Sequence, residues 1–326
     1  MTAIQRFKVS KAGAPDALEW TSEDLAGPGE GNVQIKQEAI GVNYIDIYHR
    51  AGTYPLPLPT GIGVEGAGVI ESVGAGVTAF AAGDRVAYVG GPPGAYATSR
   101  HVPAGRVVKL PADVSAQTAA SLIFKGLTVE YLIRRCYAVK AGETVVFHAA
   151  AGGVGSIASQ WLKHIGATVI GIVSSEEKAK VAKANGCDHA IVSKGGDFVE
   201  KVKEITGGKG VPVVYDSVGK DTYMGSLDCL APRGTLVSFG ISSGQIPPLE
   251  TGLLTAKGSL YLTRPSIAHY TAKREELDAA AAVFFEMLKK GVIKQPAPKV
   301  YALKDAAKAH ADMEARATSG SVILTP

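Results

Sequence analysis

Hydrophobic and polar positions follow a period of two in the first part of the chain. The runs at 32–41, 66–73 and 84–89 are short and partly apolar, and glycine-rich turns separate them. Alternation over a few residues, bounded by Gly and Pro, is typical of half-buried β-strands. This part is therefore predicted to form a mostly-β domain, a barrel or sandwich, rather than a helix bundle.

From residue 115 onward, apolar runs alternate with amphipathic helical segments. Ser115 fits the N-cap of a helix that extends to residue 137. Strands are predicted at 144–149, 168–173, 189–192, 211–215 and 234–239, with helices at 154–165, 176–185, 197–206 and 222–229. Strands spaced by helices predict a doubly wound parallel sheet of the Rossmann type, so the fold class is α/β. Helices at 275–290 and 303–316 and a strand at 321–324 follow, and that strand is expected to return to the first domain.

The segment 145–173 carries the clearest functional pattern. A predicted strand leads into Ala150-x-Gly152-x-x-Gly155, which opens a helix and leads to a second strand. Glycine is needed where the backbone turns sharply and approaches a pyrophosphate, and the helix N-terminus offers free N–H groups to phosphates. Ala150 replaces the usual first glycine, but the strand–loop–helix–strand context predicts nucleotide binding.

The end of the second strand bears on which nucleotide binds. An NAD site usually places Asp or Glu there, whereas this chain has Ser174 and Ser175 followed by Lys178. Two hydroxyls and an ammonium suit a 2′-phosphate, which favours NADP. Glu176 and Glu177 argue the other way, because they place acids near the phosphate. Ser174-x-x-Glu177 also fits a helix capping box.

Composition and charge narrow the class of protein. The chain has 326 residues, 46% hydrophobic and 20% charged, which suits a globular protein of about two domains. Its net charge of +4 is scattered, so nucleic-acid binding is not favoured. Cys136, Cys187 and Cys229 are odd in number and far apart, which fits a reducing compartment. With no apolar leader and no membrane-length apolar run, a cytoplasmic protein that does not bind membranes is expected.

The sequence resembles the zinc-free NADPH:quinone reductases related to zeta-crystallin, within the medium-chain dehydrogenase/reductase superfamily. The resemblance extends over the whole chain. Its motifs are GVNYID at 41–46, GVEGAG at 63–68, AGDRVAY at 82–88, KGLT at 125–128, HAAAGGVG at 148–155, VVYDSVG at 213–219, SFG at 238–240, YLTRP at 261–265 and EARA at 314–317. The resemblance implies a GroES-like, mostly-β catalytic domain at 1–124, a Rossmann NADP-binding domain at 125–265, and a return to the catalytic domain at 266–326.

The resemblance also bears on metal binding and on the acceptor. Zinc enzymes of this superfamily have Cys and His where this chain has Asn43 and Val64, so no metal is expected. Without a Lewis acid, the expected acceptor is one that takes hydride readily, namely a quinone. The alternatives are reduction of the double bond of an enone or alkenal, and a non-catalytic protein that binds NADPH or RNA. Loops at 54–60 and 242–249 are expected to shape the acceptor pocket.

The resemblance implies specific site residues. The candidates on the substrate side of the nicotinamide are Asn43, Asp46, Tyr48, Tyr54 and Thr128. The implied cofactor contacts are Asn43, Tyr44, Asp46, Tyr48, Thr128, Tyr131, Gly152, Gly153, Val154, Gly155, Ser174, Ser175, Lys178, Ser193, Phe239, Gly240, Ile241, Ser242, Arg264 and Arg316. Asp46 fits a loop anchor or helix cap equally well, and Tyr44 and Tyr48 fit the core. Ser193 stands where close relatives have a tyrosine, which weakens the NADP assignment, and Lys194 is a candidate to compensate.

The apolar run at 259–263 fits an edge strand of the parallel sheet. Relatives are commonly dimers joined through this edge. Because an exposed strand edge invites strand pairing, a symmetric homodimer is expected.

Overall fold

The structure is a computed structural model that describes all residues except Gln295, Arg316 and Ser319. The chain forms two compact units. The first unit comprises Met1–Lys125, Thr271–Ala282 and Gln295–Pro326, and the second comprises Gly126–Tyr270 and Val283–Lys294. Residues 266–270 and 283–294 lie in the second unit and Lys125 lies in the first, whereas the division predicted from the sequence places each of them in the other. That division stays a prediction about domains.

Strands and helices alternate along the second half of the chain, while strands dominate the first. The strands are β1 (Thr2–Val9), β2 (Glu19–Leu25), β3 (Asn32–Val42), β4 (Thr60–Gly61), β5 (Glu65–Val73), β6 (Arg85–Val89), β7 (Ser99–Pro103), β8 (Val107–Lys109), β9 (Thr144–His148), β10 (Thr168–Val173), β11 (His189–Val192), β12 (Val211–Asp216), β13 (Leu230–Ser238), β14 (Tyr261–Thr263), β15 (Lys299–Ala302) and β16 (Val322–Thr325). The α-helices are α1 (Tyr44–Ala51), α2 (Ala116–Tyr131), α3 (Gly153–Ile165), α4 (Glu176–Ala184), α5 (Val199–Ile205), α6 (Tyr223–Asp228), α7 (Thr251–Ala256), α8 (Ile267–Tyr270), α9 (Arg274–Lys289) and α10 (Ala306–Glu314).

In the first unit, β3 is the strand on which the larger sheet is built. It pairs antiparallel with β5, β7 and β16, in a sheet ordered β15-β16-β3-β5-β6-β8. Val33, Ile35 and Ile40 of β3 are fully buried among other apolar side chains. The predicted return of the C-terminal strand is confirmed, because Val322 lies opposite Val42.

In the second unit, six parallel strands form the sheet ordered β11-β10-β9-β12-β13-β14. The strand order reverses between β9 and β12, and the central strand β9 is buried from Val145 to His148. Ligands of doubly wound sheets bind at the carboxyl ends of the strands beside such a reversal. The predicted parallel sheet is therefore confirmed, and it defines the edge at which a nucleotide site is expected.

Some element bounds differ from the predicted ones. The helix predicted to reach residue 137 ends as α2 at Tyr131, and a π-helical turn, Leu132–Cys136, follows it. The Tyr137 N–H donates to the Leu132 carbonyl at 3.1 Å, five residues back, which is the π-type hydrogen bond. Strand β13 begins at Leu230 rather than at 234, because Leu230 already pairs with Val211 of β12, ahead of a shift in register between Val211 and Val213.

Candidate cofactor and acceptor site

The loop after β9 has room only for glycine at its closest approach. A Cβ atom at Gly155 would lie 2.3 Å from the Ala149 carbonyl oxygen and 2.6 Å from Ala150 Cα. The chain turns at Ala149, whose φ is +51°, and α3 begins four residues later at Gly153. The glycine predicted to permit close packing of helix and loop therefore does so.

The start of α3 suits an anionic ligand. Gly152 is the N-cap and has no side chain with which to cap the helix. The first amide groups of a helix have no carbonyl partner one turn back, and they carry the positive end of the helix dipole. The amides of Gly153 and Val154 lie in this first turn, at the carboxyl end of the central strand. The residues present thus fit a diphosphate group.

The end of β10 presents a hydroxyl and an ammonium group together. Lys178 Nζ donates to Ser174 Oγ at 3.2 Å. The Lys178 backbone N–H donates to Ser175 Oγ at 3.3 Å, so Ser175 is the N-cap of α4. The alternative of a capping box headed by Ser174 is therefore wrong. The pair of Ser174 and Lys178 fits a phosphate group, although the exposed Glu176 and Glu177 lie next in the chain.

The hydroxyl of Ser193 takes part in the turn that follows β11. Ser193 Oγ donates to the Gly195 carbonyl at 2.9 Å and contacts the Asp197 carboxylate. The residue itself is buried, while its neighbour Lys194 is exposed. A contact between Ser193 and a cofactor stays a prediction.

The segment after β13 reaches the same edge of the sheet. A Cβ atom at Gly240 would lie 2.5 Å from the Ser217 carbonyl oxygen, so this position also requires glycine. Arg264 Nη1 donates to the carbonyls of Ser238 and Gly240 at 2.8 and 3.2 Å. The predicted contacts of this segment, Phe239, Gly240, Ile241 and Ser242, follow directly after β13.

Two predicted site residues lie on α2. Thr128 and Tyr131 are both buried, and the Tyr131 ring stacks on Tyr270 with centroids 4.7 Å apart. The structure thus gathers the loop after β9, the Ser174–Lys178 pair and residues 239–242 at one edge of the second unit, while Tyr131 has a packing role. Arg316 lies outside the described residues.

In the first unit, the predicted residues of α1 surround its N-terminus. Asn43 is the N-cap, and its backbone N–H donates to Asp46 Oδ2 at 2.9 Å. The alternative interpretation of Asp46 as a helix cap is therefore confirmed. Tyr48 lies between two aromatic rings, with centroid distances of 6.2 Å to Tyr44 and 5.2 Å to Tyr54. Tyr44 is exposed, so its interpretation as a core residue is wrong.

Asp46 is a buried carboxyl group with unequal oxygens. Oδ2 accepts hydrogen bonds from the Asn43 N–H and from the Tyr96 hydroxyl, the latter at 3.1 Å. Oδ1 has no hydrogen-bond partner among the described residues. Burial raises the pKa of Asp46 to about 7, and the nearby Glu65 carboxylate adds to that rise.

A series of hydrogen bonds extends from Asp46 through Tyr96 to His310 on α10. Tyr96 Oη lies 2.8 Å from His310 Nε2, and Arg50 Nη1 lies 3.2 Å from His310 Nδ1. Because a guanidinium only donates, His310 must accept at Nδ1 and donate from Nε2 to Tyr96, which leaves the Tyr96 proton for Asp46. Burial, with the charge of Arg50, lowers the pKa of His310 to about 3, so this histidine is neutral. The sequence did not predict this series of hydrogen bonds, because Tyr96 and His310 are 214 positions apart.

Glu65 is a second buried carboxylate beside Asn43. It accepts from Asn43 Nδ2 and from the Phe124 N–H, each at 2.7 Å. Lys125 Nζ lies 4.0 Å from the same oxygen, Oε2, that accepts from Asn43. A Cβ atom at Gly41 would lie 2.1 Å from Glu65 Oε2, so glycine makes room for the carboxylate. Glu65 and Lys125 were not predicted as site residues, although the motifs GVEGAG and KGLT contain them.

The described residues contain neither a candidate metal centre nor a candidate membrane-spanning helix. The described part of the chain holds no group of three or more His, Cys, Asp or Glu side chains arranged to bind a metal ion. In the same residues, no helix is both long and apolar enough to cross a membrane.

Two family profiles match the chain, one over the mostly-β part and one over the part with the parallel sheet. Residues 29–112 match the profile described as "Alcohol dehydrogenase GroES-like domain". Residues 153–284 match the profile described as "Zinc-binding dehydrogenase". Together with the Rossmann-type sheet, the two matches define a dehydrogenase/reductase of the medium-chain superfamily, and the predicted GroES-like domain is confirmed.

Individual relatives match over nearly the whole chain. A "Quinone oxidoreductase" from Pseudomonas aeruginosa is 46% identical over 99% of this chain and 99% of its own. "Quinone oxidoreductase 1" from Escherichia coli K12 is 48% identical over 98% of this chain and 99% of its own. A solved structure of the Escherichia coli enzyme, complexed with NADPH, covers 99% of this chain and 100% of its own at 47% identity, with a TM-score of 0.97. The chain belongs to the quinone oxidoreductase family.

A relative with a different name is almost as similar. The "2-haloacrylate reductase" of a Burkholderia species is 45% identical over 98% of this chain and 98% of its own. The solved structure of a 2-haloacrylate reductase is 44% identical, covers 99% of both chains and has a TM-score of 0.89.

Proposed function

We propose that this protein reduces quinones with NADPH as the hydride donor. The similarity to quinone oxidoreductases, 46 and 48% identical over at least 98% of this chain, carries the proposal. A solved structure that is similar to this chain, with a TM-score of 0.97, is complexed with NADPH. The geometry at the carboxyl edge of the parallel sheet supports the same cofactor.

Each part of the cofactor has a proposed binding group in the second unit. The amides of Gly153 and Val154 bind the diphosphate, since they begin α3 at a turn that only glycine permits. Ser174 and Lys178 bind the 2′-phosphate through a hydroxyl and an ammonium group. Arg264 fixes the backbone of Gly240 beside the nicotinamide ribose. Bound NADPH supplies the hydride.

The acceptor is proposed to meet residues of the first unit. Tyr48 and Tyr54 form an aromatic pair that can cover the face of a planar ring. Asn43 is held in place by Glu65, which accepts a hydrogen bond from its amide nitrogen. These groups orient the acceptor, and orientation is what a direct hydride transfer chiefly requires.

A second candidate acceptor is an activated carbon–carbon double bond. The similarity to 2-haloacrylate reductase, at 45% identity, favours it specifically. The same cofactor site serves both acceptors, because in each case hydride is added to a carbon atom made electron-poor by conjugation.

The proposed cofactor preference is tested by following the absorbance of NADPH and of NADH with a small quinone. We expect rapid NADPH oxidation and a KM for NADH at least tenfold higher. In the Ser174→Asp variant, a carboxylate beside Lys178 should weaken NADPH binding by roughly 10–100-fold, the equivalent of one or two charged hydrogen bonds.

The matched control is Ser22→Asp, at an exposed position on β2 of the first unit, which should leave NADPH binding unchanged. Equal KM values for NADH and NADPH in the unmodified protein would overturn the 2′-phosphate assignment and leave the reductase standing. Binding of NADPH without oxidation by any quinone would overturn the quinone proposal, and an acrylate with an electron-withdrawing substituent would then be the next acceptor.

Assembly and location are part of the proposal. The short strand β14 forms one edge of the parallel sheet, and Tyr261 on it is 62% exposed. We expect two copies to pair through this edge in a homodimer. The three cysteines, Cys136, Cys187 and Cys229, are free thiols, which fits a cytoplasmic protein.

A further inference from the structure

Lys125 places an ammonium group in the interior of the first unit. The residue lies on α2 and is 7% exposed. Its Nζ donates to the Ser121 carbonyl at 3.2 Å, and the Glu65 carboxylate is 4.0 Å away, beyond hydrogen-bond distance. An ammonium group has three N–H donors, so the recorded hydrogen bond uses one of them.

The charge of Lys125 is balanced without using its remaining donors. Glu65 has no exposed surface, and its two oxygens accept from Asn43 Nδ2 and from the Phe124 N–H. Those two donors fix the carboxylate, which then balances the ammonium charge across 4.0 Å. A buried cation is tolerated when an opposite charge lies near it. The Lys125 Nζ thus lies near an opposite charge and has N–H donors left for a further hydrogen-bond acceptor.

The same carboxylate links Lys125 to the proposed acceptor site. Asn43 Nδ2 and Lys125 Nζ both approach Glu65 Oε2. Asn43 and Lys125 keep 6 and 7% of their surface exposed, whereas Glu65 and Asp46 keep none. The Asn43 amide and the Lys125 ammonium therefore meet at one oxygen of a fully buried carboxylate, which places Lys125 next to a residue of the proposed acceptor site.

We propose that Lys125 is a further catalytic residue, whose Nζ donates a hydrogen bond to the carbonyl oxygen of the acceptor. This inference rests on the proposed function. As hydride is added, the donor C–H bond breaks, the nicotinamide is oxidised, and the acceptor gains two electrons, so that negative charge develops on its oxygen. The ammonium stabilises that charge and then transfers a proton to the oxygen, and solvent reprotonates the amine. A fixed donor of this kind typically contributes a factor of about 10²–10³ to kcat.

The test compares Lys125→Met and Lys125→Arg across a series of quinones of decreasing reduction potential. We expect the Met variant to lose about 10²–10³-fold in kcat. The loss should grow as the quinone becomes harder to reduce, because a later transition state carries more charge on the oxygen. The Arg variant keeps the cation but is a poor proton donor, so it should be more active than the Met variant and less active than the unmodified protein, and its loss should not grow as the quinone becomes harder to reduce.

Two further measurements separate this role from a structural one. NADPH affinity, measured by fluorescence without any acceptor, should be unchanged in both variants. If the Met variant does not fold, Lys125→Gln keeps a donor for the Ser121 carbonyl without the charge, and we expect the same growing loss. A loss that is uniform across the quinone series, or no loss, would overturn the role of Lys125. Absence of quinone reduction by the unmodified protein would instead overturn the proposed function.

Discussion

At the scale of single residues, burial decides the chemistry of Asp46. This carboxyl has no exposed surface, and its pKa is raised from 3.8 to about 7 by desolvation. Between those values the folded protein holds a proton that the unfolded chain releases, so stability falls as pH rises from about 4 to 7 and is then constant. Asp46→Asn removes this titration. The quantity to follow is the free energy of unfolding of the unmodified protein minus that of Asp46→Asn. We expect this difference to fall by about 4 kcal/mol as the pH rises from about 4 to 7.

Urea denaturation at several pH values measures the difference. Asp84→Asn is the matched control, because the Ala81 N–H and Lys109 lower the pKa of Asp84. For Asp84 the unmodified protein should lose stability relative to the variant as pH falls through the acid range, which is the opposite sign. A difference between the protein and Asp46→Asn that does not change with pH would contradict the raised pKa.

At the scale of elements, one buried cation ties α1 to α10 within the first unit. Arg50 is 1% exposed and donates to both carboxylate oxygens of Glu314, at 3.1 and 2.7 Å. Glu314→Ala leaves the guanidinium buried beside His310 with no carboxylate. We expect a loss of about 2–4 kcal/mol in the free energy of unfolding, somewhat below the range for a fully buried pair because Glu314 is partly exposed. Chemical denaturation measures it.

The control lies on the same helix. Lys308 pairs with Asp312 at 3.0 Å, but both charges are at the surface and one turn of helix apart. Lys308→Ala should therefore cost less than about 1 kcal/mol. Equal losses from the two variants would show that the Arg50–Glu314 pair contributes no more than a surface ion pair.

At the scale of the whole molecule, we expect the β14 edge of the parallel sheet to govern assembly. We expect a dimer in sedimentation at micromolar protein concentration, and Tyr261→Lys should shift it to monomer, since a lysine on an edge strand opposes strand pairing. Val300→Lys is the control, because Val300 is also exposed, on the edge strand β15 of the other large sheet. A monomer before mutation, or a dimer that persists in Tyr261→Lys, would contradict pairing through β14.

Local patterns predicted a large part of the fold. The strands Thr168–Val173 and His189–Val192 have the bounds that were predicted, because apolar runs between turn residues are read from neighbours in the sequence. The glycine requirement at Gly155 and the N-terminus of α3 were also predicted, since the motif lies within one strand–loop–helix unit. The π-helical turn after Tyr131 was missed, because hydrophobic spacing does not distinguish it from continued α-helix.

The sequence by itself determined the two architectures, the glycine-rich loop after β9 and the residues that begin α1, since each depends on spacing along a short stretch. Only the tertiary structure decided the protonation of Asp46 and the surroundings of Lys125. Those depend on residues far apart in the chain, such as Tyr96, His310 and Glu65, which folding brings within hydrogen-bonding or electrostatic range. Desolvation and Coulomb interaction act through space rather than along the chain, so neither can be read from local sequence.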